Sequence, residues 1–171
     1  EGVCIERYLD DKIKDIEAGS GGLILQPFWT PGITNPNASG AIIGFSDFHT
    51  RYHLYRAIIE GICLELSHGL VKMQKRSSVT VDELYAGGGG SSSPVVCQIA
   101  ADVFGLPVHR IQTHEASAVG CAMVAFISQG VYGSYEDAIE HMVHKKDVFI
   151  PNEENHRTYM KIYGKAYSHL A

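Results

Sequence analysis

Apolar and polar residues alternate with a helical period over long stretches of the chain. The first stretch has an apolar residue at every third or fourth position, namely Ile5, Leu9, Ile13 and Ile16. That spacing predicts a helix with one buried face. Glycines within residues 19–22 interrupt the pattern and end the helix, and residues 23–25 follow as a short extended run.

The longest periodic stretch covers residues 49–76. Its apolar positions form one continuous stripe, made of Tyr52, Tyr55, Ile59, Ile62, Leu66, Leu70 and Met73. We predict a single helix that crosses the whole domain and begins at an N-cap of Ser46 or Asp47. Gly61 in the middle of this helix costs about 1 kcal/mol relative to Ala. We therefore expect another backbone to approach closely at that position.

From residue 83 onward, short strands and helices alternate. The pattern predicts a strand at 83–86, a helix at 94–104, a strand at 107–111, a helix at 116–129, a helix from a Ser134 cap to Met142, and a last helix at 152–170. Between residues 86 and 133 the charged side chains are Asp102, Arg110 and Glu115. So few charges imply a layer that is covered on most sides, and the alternation predicts an α/β fold.

A segment rich in proline and asparagine separates the first elements. Residues 27–40 predict a loop, because proline and asparagine favour turns over helices and ladders. Phe28 and Trp29 in this loop are candidates for contact with a substrate or a neighbouring subunit, and equally for filling the core.

Composition narrows the classes of function. A chain of 171 residues fits one domain, and 45% hydrophobic with 19% charged residues is typical of a globular protein. The net charge of −5 argues against nucleic acid or an anionic membrane as partner, and no apolar run reaches the roughly 18 residues of a bilayer span. Four widely spaced cysteines indicate reduced, buried thiols in a cytoplasmic protein. The chain starts without Met inside a helical pattern, which suggests a fragment.

The sharpest local signal is a run of small residues between a strand and a helix. Four glycines, residues 87–90, are followed by three serines, residues 91–93. Bare glycine backbone and free N–H groups beside a helix N-terminus suit a phosphate or ribose, and serine hydroxyls add short hydrogen bonds. A flexible turn without a ligand fits the glycine content equally well. The run is neither a Walker A loop, since no Lys follows, nor a GxGxxG fingerprint.

Three motifs in order resemble the FGGY family of carbohydrate kinases. The segment after the glycines resembles the family's second nucleotide-binding motif, through Gln98, Ala101, Asp102, Gly105, Pro107 and Val108. A downstream segment resembles the family's Glu-x-x-Ala-x-Gly-Ala-Ala helix, with Cys121 in place of the usual Ala. Its matching residues are Glu115, Ala116, Ser117, Ala118, Gly120, Ala122 and Ala125. An upstream match to His-x-x-x-His-Leu-x-Arg-Ala-x-x-Glu-Gly consists of His49, His53, Leu54, Arg56, Ala57, Glu60 and Gly61.

The resemblance implies a ribonuclease H-like, actin-like ATPase domain with a central mixed sheet flanked by helices. All of residues 1–171 would form the C-terminal, nucleotide-binding domain of a two-domain kinase that closes on MgATP. By motif position, the ligand-binding residues would be Gly88, Gly89, Gly90 and Ser91 near the adenosine and α-phosphate, and Ser92 and Ser93 near the base and ribose. The catalytic aspartate, the Mg²⁺ ligands and most sugar contacts would lie in the N-terminal domain. Related kinases often form dimers, so a homodimer is a possible partner arrangement, and the sequence leaves the oligomeric state open.

Four charged residues elsewhere have simpler interpretations. Asp102 lies toward the far end of the helix after the glycines, so we interpret it as structural. Glu115 precedes an apolar helix, where a carboxylate favours the N-terminus, and we predict a capping role. Arg56 and Glu60 are spaced for an intrahelical pair, which is worth about 0.3–0.5 kcal/mol if exposed.

Two histidine pairs have spacings that can hold zinc. His49 and His53 are four apart, and His141 and His144 are three apart. Neither pair has an obvious third ligand or the Glu of HExxH, so we favour surface or packing roles.

The leading hypothesis is therefore a kinase that phosphorylates a sugar or polyol hydroxyl with MgATP, to which this chain contributes the adenosine side but not the catalytic base. The alternatives are a non-catalytic nucleotide-binding or regulatory module of the same superfold, and a structural α/β interaction domain whose glycines serve only the turn. The acceptor stays open among xylulose, ribulose, gluconate, glycerol and others, because one fold hosts many substrates.

Overall fold

The structure, a computed structural model, describes residues 5–29 and 36–170. The helices are α1 (Ile5–Ile13), α2 (Arg51–Ser77), α3 (Pro94–Phe104), α4 (Ala116–Ser128), α5 (Tyr135–Met142), α6 (Glu153–Ile162) and α7 (Ser168–Leu170). The strands are β1 (Ile24–Gln26), β2 (Ala41–Ile43), β3 (Leu84–Ala86), β4 (Val108–Ile111) and β5 (Lys145–Phe149). Short 3₁₀ turns at Ser20–Gly22 and Gly89–Ser92, and a π turn at Tyr163–Tyr167, complete the elements.

Two sheets organise the chain. Strands β1 and β2 form an antiparallel pair. Strands β3, β4 and β5 form a mixed sheet in that order, with β3 parallel and β5 antiparallel to β4. Helix α3 makes the crossover between the two parallel strands, which is the usual way to connect such strands. The predicted α/β class with a mixed sheet and flanking helices is confirmed.

The main core lies between α2, α3 and the C-terminal helices. Its buried side chains are Ile13, Ile59, Cys63, Leu64, Ile99, Val103, Tyr159 and Tyr167. A smaller cluster of Cys97, Ala101 and Val108 joins α3 to the sheet. Helix α3 therefore contributes side chains to both clusters.

Helix α2 is as long as predicted, but it has a different N-cap residue and buries a different face. Thr50 is the N-cap, and its side chain accepts a hydrogen bond from the amide of Tyr52, so the expected Ser46 or Asp47 cap is wrong. Several members of the predicted apolar stripe are exposed, with Leu66 at 60%. The buried face instead carries Arg56 and Glu60. The polar contacts of these two side chains, together with apolar burial, therefore determine which face of α2 is buried.

Arg56 and Glu60 form the intrahelical pair predicted from their spacing, and the pair is buried, so the small energy of an exposed pair does not apply. Their side chains are 6% and 4% exposed, and Arg56 Nε donates to Glu60 Oε1 at 2.8 Å. The same carboxylate accepts from the Gly19 amide and from Tyr159 Oη. The pair therefore links α2 to Gly19, in the segment that follows α1, and to Tyr159 on α6.

Gly61 meets another backbone, as predicted. A methyl group on Gly61 would lie 2.4 Å from the carbonyl oxygen of Leu25 in β1. Only hydrogen at this position lets α2 lie against the small sheet.

Among the cysteines, Cys63 and Cys97 are buried as predicted, whereas Cys121 is exposed on α4. Burial raises the pKa of Cys63 to about 12. Cys4 lies outside the described residues. Within residues 5–29 and 36–170, every helix is too short or too polar to span a lipid bilayer.

Candidate functional site

The glycine loop, residues 87–93, connects the end of β3 to the start of α3. Gly88 has φ 82° and ψ 178°, a conformation that essentially only glycine adopts. Its amide donates to the carbonyl of His114 at 2.8 Å, which fixes the loop to the segment before α4. The chain then forms the turn Gly89–Ser92 and enters α3.

The glycine backbone is bare on its outer side. All four glycines are exposed, and a methyl group on Gly88, Gly89 or Gly90 would meet no atom within 4 Å. Gly87 differs, because a methyl group there would lie 2.9 Å from the Ala116 side chain. Three consecutive residues therefore offer unobstructed backbone, whereas the first glycine is required for packing.

Two amides at the start of the turn are free to bind a ligand. The first N–H groups of a helical turn have no acceptor inside it, and here these belong to Gly89 and Gly90. No acceptor for them is found elsewhere among residues 5–29 and 36–170. Amides arranged in this way suit an anionic or polar ligand atom.

The three serine hydroxyls stabilise the loop itself. Ser91 Oγ donates to Gly88 O and Ser92 Oγ donates to Gly89 O, both at 2.7 Å. Ser93 is the N-cap of α3 and its Oγ accepts from the Val96 amide at 3.1 Å. Ser91 is buried whereas Ser92 is exposed. Of the three, the Ser92 hydroxyl is the one placed at the open surface.

Arg110 holds the far end of the loop, a role that the sequence did not reveal. Its Nη1 donates to the carbonyls of Ser91 at 3.2 Å and Ser92 at 3.1 Å. Its Nε donates to Asp147 Oδ2 at 2.8 Å, and Nη2 donates to the same oxygen. Asp147 lies on β5, directly opposite Arg110 in the register.

Asp102 has the structural role that we predicted. Its Oδ1 accepts from Gln98 Nε2 and from the Asn152 amide, and its Oδ2 accepts from Asn155 Nδ2, each at 2.8 Å. The side chain is buried. A carboxylate with three donors joins α3 to the start of α6 and is not placed to act as a base.

Glu115 does not cap α4 as expected. It occupies the N-cap position, but its side chain makes no capping hydrogen bond and pairs with His114 Nε2 at 3.2 Å.

Trp29 is 59% exposed and so does not fill the core.

The two histidines of the first pair, His49 and His53, have local hydrogen-bond partners. His49 Nδ1 accepts from the Ser46 amide and its Nε2 lies 3.2 Å from Gly21 O. His53 Nδ1 accepts from the Thr50 amide as part of the capping box of α2. Within the described ranges, no group of three His, Cys, Asp or Glu side chains is close enough to hold a metal ion.

Comparison with known proteins identifies the family of the chain. The model of the FGGY family of carbohydrate kinases, C-terminal domain, matches residues 20–129. The uncharacterized sugar kinase YgcE of Escherichia coli (strain K12) is 32% identical over 154 residues, which cover 90% of this chain and 31% of that protein. The xylulose kinase of Bacillus subtilis (strain 168) is 29% identical over 164 residues, which cover 92% and 32%. The chain thus spans about a third of the length of the curated relatives it matches.

Solved structures show the same fold. The xylulose kinase from Rhodospirillum rubrum superposes with a TM-score of 0.74 at 28% identity, covering 96% of this chain and 35% of that one. The Plasmodium falciparum glycerol kinase with ADP superposes with a TM-score of 0.77 at 18% identity, covering 96% and 33%. The expected actin-like ATPase fold is therefore confirmed. From its sequence motifs, its fold and the match over residues 20–129, the chain belongs to the FGGY family of carbohydrate kinases.

Proposed function

We propose that this chain is the C-terminal, nucleotide-binding domain of a kinase that phosphorylates a sugar or polyol hydroxyl with MgATP. The observation that carries the proposal is the bare backbone of Gly88, Gly89 and Gly90, set between a strand of the sheet and the N-terminus of α3. A ligand can approach such a backbone to hydrogen-bond distance, which side chains would prevent.

The loop supplies binding groups for the adenosine end of ATP. The amides of Gly89 and Gly90 would donate to ribose or α-phosphate oxygens, and the Ser92 hydroxyl would lie near the base and ribose. Ser91 and Ser93 act mainly by keeping the turn and the start of α3 in shape. The positive end of the α3 dipole adds a favourable field for phosphate.

The remaining catalytic groups are proposed to lie outside this chain. Phosphoryl transfer needs a carboxylate near the attacking hydroxyl and a divalent cation between the phosphates. Asp102 accepts three hydrogen bonds that join α3 to the start of α6, and the described residues hold no group of three His, Cys, Asp or Glu side chains close enough for a metal ion. We assign the catalytic base, the Mg²⁺ ligands and most sugar contacts to an N-terminal domain, which the greater length of the relatives supports.

Exposed apolar surface supports a partner domain. A groove of about 410 Å³ between α2 and the sheet is lined by apolar side chains that include Leu66, Met73 and Tyr85. Helix α4 carries no charged residue, and its Val124 and Phe126 are 54% and 43% exposed. Apolar patches of this kind mark surfaces that bind another protein part.

The acceptor is proposed only as a class. Relatives are named xylulose kinase, glycerol kinase and L-xylulose/3-keto-L-gulonate kinase, so a small sugar or polyol fits all of them. The buried thiols Cys63 and Cys97 suit a reducing compartment, which supports a cytoplasmic location. Formation of a homodimer stays a prediction.

The test is acceptor-dependent ADP formation by the full-length protein that contains this chain. A coupled assay with xylulose, ribulose, gluconate and glycerol should show ADP release with at least one acceptor and none without acceptor. MgATP binding without any acceptor-dependent turnover would favour the regulatory module instead. Absence of MgATP binding would contradict the proposal altogether.

A further inference from the structure

Arg110 joins three parts of the chain at the exit of the glycine loop. It lies on β4, and its side chain is 14% exposed. One nitrogen, Nη1, bonds the carbonyls of Ser91 and Ser92, while Nε and Nη2 bond Asp147 on β5. The guanidinium thus donates from Nη1 to the glycine loop and from Nε and Nη2 to the neighbouring strand.

This arrangement fixes the orientation of two peptide planes. The carbonyl of one residue and the N–H of the next point in opposite directions across a planar trans peptide. Holding the Ser91 and Ser92 carbonyls toward Arg110 therefore turns the amides of Ser92 and Ser93 away from it, and the Ser93 amide donates to Gly90 O at 3.3 Å, which closes the turn of the glycine loop. It also keeps two partially negative oxygens from pointing at an anionic ligand on the outer side of the loop.

Asp147 determines where the guanidinium can lie. It faces Arg110 across the antiparallel β4–β5 pair, and the register shifts immediately after Arg110. An ion pair with two donors to one carboxylate oxygen restricts rotation of the Arg110 side chain. The aromatic ring of Phe149, 5.5 Å from the guanidinium carbon, covers it further.

We propose that Arg110, held by Asp147, is a positioning residue that keeps the glycine loop in its nucleotide-binding conformation. This inference rests on the proposed function, since it deepens the account of the same site. Arg110 acts through the backbone of Ser91 and Ser92 and does not itself contact the nucleotide. Its loss should therefore weaken ATP affinity and leave the acceptor site unchanged.

The test uses the full-length kinase with the variants Arg110→Ala, Arg110→Lys and Asp147→Asn. Hydrogen bonds to a charged donor are strong enough that Arg110→Ala should raise KM for ATP about 10- to 100-fold. Lysine keeps the charge but lacks the fork, so Arg110→Lys should rescue affinity only in part. Asp147→Asn should raise KM for ATP by about 3- to 10-fold, because it keeps the shape and removes the charge that orients the guanidinium.

Lys146→Ala is the matched control. Lys146 neighbours Asp147 on β5, is exposed, and its replacement removes one positive charge, as Arg110→Ala does. We expect the control to leave KM for ATP within about twofold of wild type, because exposed charges contribute little. For all variants, KM for the acceptor at saturating ATP should stay within the same range.

The outcomes separate the inference from the proposed function. An unchanged KM for ATP in Arg110→Ala, with or without a lower thermal midpoint, would show that Arg110 does not position the glycine loop and would overturn the inference alone. An unaffected Asp147→Asn variant would overturn the role of Asp147. A wild-type protein that binds no MgATP would refute the proposed function and the inference with it.

Discussion

Replacing Glu60 by glutamine removes one buried negative charge and almost nothing else. The Glu60 side chain is 4% exposed. Its Oε1 accepts from the Gly19 amide at 3.0 Å, Arg56 Nε at 2.8 Å and Tyr159 Oη at 2.7 Å, and its Oε2 accepts from Ser20 Oγ at 2.8 Å. A glutamine oxygen can take the place of Oε1, and the Ser20 hydroxyl can reverse to accept from the glutamine amide.

The magnitude follows from the charge left behind. Arg56, with 6% of its side chain exposed, would keep its positive charge without a counter-ion. Removing one partner of a buried ion pair costs about 3–5 kcal/mol. We expect Glu60→Gln to lower the free energy of unfolding by that amount, although the hydrogen bonds are retained.

Glu65 on the same helix provides the matched control. Its side chain is only partly buried and accepts one hydrogen bond, from Tyr167 Oη at 2.9 Å. Glu65→Gln should therefore cost about 1 kcal/mol or less. Urea unfolding followed by circular dichroism measures both variants. If Glu60→Gln were within about 1 kcal/mol of Glu65→Gln, the reasoning about an unpaired buried charge would be refuted.

Two further predictions concern packing and thiol exposure. Gly61→Ala should lower the free energy of unfolding by about 1–3 kcal/mol through overpacking. Gly69→Ala, with no atom within 4 Å of its methyl group, should raise it by about 0.5–1 kcal/mol. If urea unfolding showed changes of the same sign for both variants, the packing of α2 described above would be contradicted. In native labelling with Ellman's reagent at about pH 8, where an unperturbed thiol begins to ionise, Cys121→Ser should lose one reactive thiol. Cys63→Ser and Cys97→Ser should lose none, because burial raises the pKa of both thiols; a loss in either would contradict their burial.

Local pattern was sufficient to predict the elements around the loop. The strand, the glycines and the serine cap of α3 are contiguous in sequence, and their chemistry is local. The predicted helix over 94–104 and the observed α3 coincide. Gly61 was also predictable, because a glycine inside a long helix has an energetic cost that only a close contact offsets.

Long-range contacts explain what the pattern missed. Strand β5 carries the charged run of Lys145, Lys146 and Asp147, and its pairing depends on β4, more than thirty residues earlier. Without β5 the role of Arg110 cannot be seen, since its carboxylate partner comes from that strand. The face of α2 was misassigned for a similar reason, because Glu60 finds donors 41 and 99 residues away.

The ends of the helices were also predicted less well than the helices themselves. Ser46, Asp47 and Thr50 are all good N-cap residues by type, so sequence alone ranks them poorly. The structure selects Thr50, because His53 completes a capping box with the Thr50 amide. The predicted last helix also changes character, from α6 into a π turn at Tyr163–Tyr167, which places Tyr167 in the core.

The central claim is that ATP lies against the bare backbone of the glycine loop, and MgATP affinity of Gly89→Val tests it most directly. A side chain at Gly89 meets no atom within 4 Å, so the fold should tolerate valine while the new methyl groups occupy the ligand's space. Gly164→Val in the π turn, where a methyl group also meets no atom within 4 Å, is the control. Calorimetric titration of the full-length protein should show a roughly tenfold weaker Kd for Gly89→Val, about 1.4 kcal/mol, and an unchanged Kd for Gly164→Val. Wild-type affinity in a folded Gly89→Val variant would contradict the account.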